Sequence, residues 1–547
     1  MHTAAMPGQF RLSIQIAAIV LVCVVLRAQS DTDAIISGTA PVRSFHLVPS
    51  TTPTPMLRSV AAYTVGTPMR LRTLGWRLPT DSSGTVAVRF ALLDSFGNAL
   101  VGIPDEQFRW NLHLRSADGK RNSFAASPKL RQNIWIEHSL RLVLCLDASS
   151  STRRYRHLIC ATMDSLGWAL GPDDSLAIVL AGTTAIEALP MTHHSELPSL
   201  GTLFDRSSDY TGVSRLYYSI LWALERYRPS AVIVVTGSDD YASYDVVPVD
   251  LIRVAQRSET PIYSVTLGPT VEVAPWEAIG AYTGGKSYPF YSDRDKEAFA
   301  HTLIEIVRAE QIASSVSVKI PVEAAADITP GTTLSLECNG DDASYLDSIT
   351  VLPPSVLLPA RQIVALFNNG SSELDSAYRP LLDAIAEVLR ANPSQRIELI
   401  GHAFGEGTDE AMRSLSVERV LAVKTALSSR GVQPAQLRMK AIGGLKPLYP
   451  APQSPTEYDL DRRVEFRWLD PSLLPYELIV GYAYRERDAL HQAEQWEKRG
   501  YRAYVEEIML SGHTAFRVKL WGFATEHDAR SSATTIARRY RVNVTIE

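Results

Sequence analysis

Three groups of residues in this 547-residue sequence have types and spacings that can do chemistry. The first is Asp147-Ala-Ser149-Ser-Ser151, a carboxylate and two hydroxyls at alternate positions directly after the apolar run Leu142 to Leu146. Oxygen ligands of this kind suit a hard divalent cation such as Mg2+ or Mn2+. The turn after a buried parallel strand is also where open α/β sheets bind their ligands. The second group is Gly401-His402-Ala-Phe404-Gly-Glu406-Gly407, then Leu415-Ser-Val-Glu-Arg419, then Asp461-Arg462-Arg463-Val-Glu465. It gathers charges of both signs, which can hold a ligand by charge-assisted hydrogen bonds. The third group is Tyr482, Tyr484, Arg517 and Trp521. Aromatic faces stack on the C–H patches of sugar rings while polar neighbours bond the hydroxyls and acetamides.

No nucleophile elbow GxSxG, no HExxH and no phosphate-binding P-loop is present, and His193-His194 lacks the spacing of further ligands. The expectation is a protein that binds and does not catalyse.

These groups sit on different kinds of element. Residues from about 60 to 140 alternate apolar and polar at every second position, as in Val86, Val88, Phe90 and Leu92, and then turn at Asp94-Ser-Phe-Gly-Asn98. That pattern predicts antiparallel strands of a β-sandwich spanning 31–137. Alternation returns at Val316, Val318, Ile320 and at Leu334, Leu336, Cys338, so 311–356 reads as strands that could complete the same sandwich, followed by a linker. Between them, 138–310 switches to buried runs (Leu142 to Leu146, Ala231 to Val235, Ile262 to Leu267) separated by helical spacing such as Tyr155, Leu158, Ile159, Met163 and Leu166. This predicts a doubly wound parallel α/β sheet with helices on both faces. Pro353-Pro354, Pro359, Pro471 and Pro475 mark linkers around a βαβα-type unit at 357–468. The last stretch, 476–547, reads as two strand–helix–strand halves of a ferredoxin-like split βαβ domain.

The whole is a multidomain chain of α/β and α+β units, since its length exceeds one hydrophobic core and suggests about three or four domains. A hydrophobic fraction of 46%, a charged fraction of 21% and a net charge of −5 describe ordinary globular protein and speak against nucleic acid as a partner. Arg11, the apolar run Ile14 to Leu26 and Ala28-Gln29-Ser30 predict a signal peptide over 1–30, with an uncleaved anchor as the alternative. Cys23 lies in that run with Val22 at the position a lipobox gives to a small residue, which speaks against lipidation. Cys145 and Cys160 are available for one disulfide, though both lie on apolar faces that suit free thiols.

Family resemblances sharpen the reading. Asp147-x-Ser149-x-Ser151, with the Tyr263–Gly268 strand and the Tyr282-Thr-Gly-Gly285 turn, resembles von Willebrand factor A domains and their metal-ion-dependent adhesion site. The resemblance implies a metal set of Asp147, Ser149, Ser151 and Ser214, with Asp239 or Asp240 standing in for the carboxylate that Gly237 replaces. The site would be incomplete for Mg2+ or Mn2+, and an intact fold with a weak or empty site is the alternative.

Residues 357–468 resemble the OmpA C-terminal family, which binds peptidoglycan non-covalently, on the three motifs around Arg419 and on Leu366 to Leu374 upstream. In that family an Asp and an Arg grip the diaminopimelate of the stem peptide. The resemblance makes Arg419 the carboxylate clamp, with His402, Arg462 and Arg463 beside it. The Asp position is Phe404 and the motif's Asn is Met412, leaving Glu406 or Asp409 to supply the missing carboxylate. A helix-surface Arg419 paired with a nearby acid is the structural alternative.

Residues 476–547 resemble a SPOR domain, which recognises denuded glycan strands, on Tyr476 to Gly481, Ala489, Gly500-Tyr501 and Phe516 to Phe523. Ile479 replaces the family's Gln, and the aromatic candidates have packing under the helices as their alternative. Together these expectations describe an exported protein of the periplasm or outer-membrane side of the envelope. It would hold peptidoglycan through 357–547 and present 138–310 to an unidentified envelope protein. The alternative is a metal-dependent adhesion or assembly protein whose C-terminal domains no longer bind the wall.

Overall fold

A computed structural model describes residues 60–547 except 64–68, 80–83, 105, 107, 131–138, 205–209, 211, 269–270, 292–294, 341–343, 352–357, 470–475 and 511–512. The expected signal peptide and Cys23 lie outside the described residues. Among these, no helix is long and apolar enough to cross a membrane.

The alternating segments form β1 (Val60–Ala62), β2 (Arg70–Arg77), β3 (Thr85–Leu93), β4 (Ala99–Val101), β5 (Arg109–Arg115) and β6 (Arg121–Ala126). The turn between β3 and β4 is tied by Asp94, whose Oδ1 accepts the amides of Phe96 and Asn98. The chain then builds an α/β unit from β7 (Arg141–Asp147), α1 (Arg156–Ala169), β8 (Ser175–Ala181), β9 (Ala185–His193), α2 (Leu216–Tyr227), β10 (Ala231–Thr236), α3 (Pro248–Arg257), β11 (Ile262–Leu267), α4 (Val273–Thr283), β12 (Ser287–Phe290) and α5 (Lys296–Ile312). Afterwards β13 (Ser314–Lys319), β14 (Thr333–Asn339) and β15 (Ser344–Thr350) rejoin the first strands. β13 pairs antiparallel with β3, placing Val316 opposite Val88, and β14 pairs with β5, placing Leu336 opposite Leu112. The two resulting sheets enclose one core that includes Val88, Phe90, Trp110, Leu112, Val316 and Leu336. Alternate residues face it because successive strand side chains point to opposite faces.

The inserted sheet has the order β12-β11-β10-β7-β8-β9. α1 and α5 cover one face, and α2, α3 and α4 the other. β9 departs from the all-parallel expectation, running antiparallel to β8. Only Gly182 to Thr184 joins the two strands, and a connection that short can close a hairpin but not a parallel crossover. Cys145 and Cys160 are both free thiols, so the available disulfide is not formed.

The third unit runs β16 (Arg361–Leu366), α6 (Arg379–Ala391), β17 (Ile397–Gly401), α7 (Asp409–Ser428), β18 (Leu437–Ala441), α8 (Pro455–Asp461) and β19 (Arg463–Trp468), with sheet order β16-β19-β17-β18. The fourth runs β20 (Tyr476–Ala483), α9 (Glu486–Lys498), β21 (Ala503–Leu510), β22 (His513–Phe523), α10 (Glu526–Tyr540) and β23 (Thr545–Ile546), ordered β21-β22-β20-β23.

These units share buried surfaces. The Ile363 amide of edge strand β16 donates to the Tyr241 carbonyl at 2.8 Å, and the Gln362 amide group reaches the Ser243 carbonyl at 3.2 Å. The Val213 amide donates to the Tyr449 hydroxyl at 3.1 Å. Ala242, Ile363 and Leu460 form a small apolar core between them. The third unit therefore sits on the loops at the C-terminal edge of the inserted sheet.

Gly212 is indispensable to that contact. Its φ is +65°, and a Cβ there would lie 1.9 Å from the Tyr449 hydroxyl. Gly212→Ala is expected to loosen the contact, raising hydrogen exchange at the Ile363 amide by at least about tenfold while β8 and β10 stay protected. Unchanged exchange at Ile363 would show that the two units are held elsewhere.

Candidate functional site

At the end of β7 the fold gathers hydroxyls around one carboxylate. Asp147 is fully buried, and its Oδ1 accepts the Ser149 amide at 2.8 Å. The hydroxyls of Ser149, Thr152, Thr236 and Ser238 lie 3.1, 2.5, 2.8 and 2.7 Å from Oδ2. The Ser150 amide bonds the Gly212 carbonyl at 3.1 Å, which brings the turn of Ser149 and Ser151 against the loop carrying Ser214. Ser151 precedes a short 3-10 turn, and Ser214 is buried without a hydrogen-bond acceptor or donor for its hydroxyl among the described residues.

The remaining carboxylates turn elsewhere. Asp239 accepts the Glu272 amide at 2.7 Å, and Asp240 accepts those of Tyr217 and Ser243. A side chain at 237 would meet Thr152 Oγ1 at 2.9 Å, so the missing carboxylate could not return without moving Thr152. Among the described residues, no three His, Cys, Asp or Glu side chains converge as a metal set. Hydroxyls and an amide thus hold the one carboxylate of this set, although Asp239 still feels the charges of Glu272, Asp240 and Asp147, and a single carboxylate fits Mg2+ or Mn2+ poorly. Thr236 occupies the Thr of the motif whose Asp falls on Gly237, whereas Thr152 and Ser238 carry no motif signal and only their hydroxyl-rich context hints at them.

Arg419 lies on α7 but not on its surface: it is fully buried. Its Nε donates to the Ser371 carbonyl at 2.9 Å, and its Nη1 and Nη2 to the carbonyls of His402 and Asn368 at 3.0 and 3.1 Å. The two Nη atoms also grip Glu406 as a fork, at 2.5 and 2.8 Å. Glu406 therefore does the opposite of what the missing Asp suggested. It fills the guanidinium instead of offering a carboxylate to an incoming ammonium. Removing either partner of so buried a pair costs about 3–5 kcal/mol.

Phe404 and Met412 both pack against Gly444, so apolar contact occupies the ground where polar groups were expected. His402 is buried and its Nε2 lies 3.0 Å from Glu465, which Arg361 also approaches at 3.0 Å. Burial, reinforced by the positive charges of Arg463 and Arg361, holds the imidazole neutral, its pKa well below the usual histidine range. Arg463 is buried between Asp461 at 3.5 Å and Glu465 at 3.7 Å. Of the four basic candidates only Arg462 reaches solvent, beside Asp459 at 3.5 Å and Glu406 at 3.8 Å.

In the fourth unit Tyr482 and Tyr484 are 51% and 71% exposed, so both rings are open to a flat ligand. Trp521 is not: it is buried, with the Arg502 guanidinium over its ring at 5.2 Å. Arg517 lies 3.5 Å from Glu547, while Lys519 is held at 2.6 Å by both Glu477 and Glu547. Ile479 and Trp521 are buried outside the unit's own helix-facing core. The sheet face expected to bind glycan is thus largely closed, leaving only its tyrosine-bearing end exposed.

Two measurements check these assignments. Titration with Mn2+ is expected to show no saturable binding, and a site abolished by Asp147→Asn would overturn the misfit. Burial lifts the Asp240 carboxyl from 3.8 to about 6, against hydrogen bonds from Ser243 and Tyr217 that lower it. The folded chain then holds that proton more tightly than the unfolded chain. Its contribution to stability is greatest at low pH and is lost as pH rises through about 6, by about 2 kcal/mol between about pH 4.5 and 7.5. Asp240→Asn should accordingly cost less stability at the higher pH, and an equal cost at both would contradict the assignment.

The OmpA family model matches residues 366–457. The chain is 31% identical over 115 residues to the photosystem I P700 chlorophyll a apoprotein A2 of Gloeobacter violaceus, covering 20% of this chain and 13% of that one. It is 32% identical over 101 residues to a peptidoglycan-associated lipoprotein of Legionella pneumophila, covering 18% of this chain and 57% of that one. The chain thus spans less than two thirds of either relative. The crystal structure of the peptidoglycan-associated lipoprotein from Burkholderia pseudomallei matches at 27% identity and a TM-score of 0.19, covering 21% of this chain and 93% of that one. With the motifs at Gly401, Leu415 and Arg419 inside the matched stretch, residues 366–457 are an OmpA domain carried within a longer, mixed α/β chain.

Proposed function

We propose that this chain is a non-catalytic cell-envelope protein that binds peptidoglycan non-covalently through its OmpA domain. The match over 366–457 carries the reading, and peptidoglycan stands in the names of relatives from Legionella pneumophila and Pasteurella multocida. The fourth unit, read as SPOR-like, adds a second wall-directed module whose exposed Tyr482 and Tyr484 suit glycan. Two weak modules in one chain raise avidity through effective concentration. The α/β unit, read as von Willebrand A-like, presents its surface to an envelope protein. In this reading the protein works in the periplasm or at the outer membrane after export.

One observation favours a second reading, a scaffold whose C-terminal units no longer hold the wall: Arg419 already has its carboxylate. Co-sedimentation of the full chain with purified sacculi separates the two. Binding that soluble stem-peptide fragments compete away is the expected result. A folded chain that stays in the supernatant across a range of salt would remove the first reading and leave the second.

A further inference from the structure

The carboxylate of Glu406 and the groups that hold it belong to different parts of the fold. Its holders are Arg419 on α7, the Gly370 amide at 2.8 Å in the turn after β16, and Arg462 between α8 and β19. Glu406 itself lies on the connection from β17 to α7, between Gly405 at φ +74° and Gly407 at φ +105°. Only glycine takes such angles freely, so the backbone on both sides of Glu406 has an unusually wide choice of conformations. A Cβ at Gly405 would meet nothing within 4 Å, which places that side of the loop against open space.

The cradle also holds more donors than one carboxylate uses. Arg462 Nε is buried, 3.8 Å from Glu406 and without a hydrogen-bond acceptor among the described residues. The same arginine lines a surface groove together with Gln453, Ser454, Pro455, Tyr458 and Asp459. A carboxylate in that groove can reach Arg462, which Asp459 also approaches at 3.5 Å, and Arg462 lies 3.8 Å from Glu406, the partner of Arg419.

We propose that Glu406 is an exchangeable internal carboxylate: a ligand carboxylate arriving at Arg462 takes its place on Arg419 while the 404–408 loop turns outward about its two glycines. The proposal rests on the reading of this unit as a ligand-binding domain. Exchange keeps Arg419 paired throughout, which matters because an unpaired guanidinium in this position is far costlier than a paired one. It also sets an affinity penalty. The tethered competitor is present at an effective concentration of roughly millimolar or more, so the unaltered chain binds external carboxylates weakly.

Acetate is the probe for the cradle and sacculi for the wall. The full chain is compared with Glu406→Ala and with Glu406→Gln, which keeps a neutral acceptor on Arg419 and preserves the fold if the alanine variant does not form. At equal pH and ionic strength, acetate in place of chloride is expected to raise the Tm of the folded variants saturably and to leave the unaltered chain unmoved. The same variants should then retain sacculi roughly tenfold better than the unaltered chain. Absence of an acetate effect on folded Glu406→Gln, or an equal effect on the unaltered chain, overturns the exchange. Acetate stabilisation without sacculus binding by any form supports the exchange and removes the wall reading. Sacculus binding without an acetate response does the reverse.

Discussion

A charge taken out of water must find its counter-charge inside the fold, and Arg419 shows how much structure that requirement organises. A single guanidinium draws in the carbonyls of Asn368, Ser371 and His402 and the carboxylate of Glu406. The turn after β16, the end of β17 and the loop before α7 are thereby fixed relative to one another. Burying the guanidinium without these partners would cost more than the whole domain gains from several apolar side chains.

The same constraint recurs at every other candidate site, solved each time with a different partner. Asp147 is satisfied by neutral hydroxyls and amides, Arg463 by Asp461 and Glu465, and Lys519 by Glu477 and Glu547. The sites are therefore electrostatically closed from within. Their residues match motifs for external ligands, but most of their charged groups are spent on each other, with Ser214 Oγ and Arg462 Nε left over among the described residues. Tyr482 and Tyr484 are the motif residues most open to solvent, with Arg517 and Arg462 partly exposed.

Packing between units adds a second level of closure. Open α/β sheets bind ligands beyond the C-terminal ends of their strands. Here that edge receives β16, Tyr449 and Leu460 of the following unit. Glu272 Oε2 even accepts the Ala360 amide at 3.0 Å, so an acidic group of the α/β unit anchors the residue just before β16. Association of the units costs little extra, because the loop at Tyr241–Ser243 supplies backbone acceptors to an edge strand that needs them.

Sequence alone determined what depends on local periodicity. The alternation at Val86–Leu92 and the buried runs at Leu142, Ala231 and Ile262 were legible because each reflects how successive side chains point from a strand or helix, whereas the ordered motifs at Gly401 and Leu415 were legible through their resemblance to a known family. The direction of β9 was set by a loop of three residues that periodicity does not register. What a site residue touches was decided only in three dimensions. Arg419 and Glu406 are thirteen residues apart, and Glu406 looked equally able to face a ligand's ammonium; only the turn between Gly405 and Gly407 aims it at the guanidinium. Trp521 carried the composition of a sugar-stacking residue, yet burial against neighbouring structure removed its face from solvent. Residue type is written in the chain, whereas pairing and exposure depend on contacts between segments far apart in sequence, and those exist only once the whole has folded.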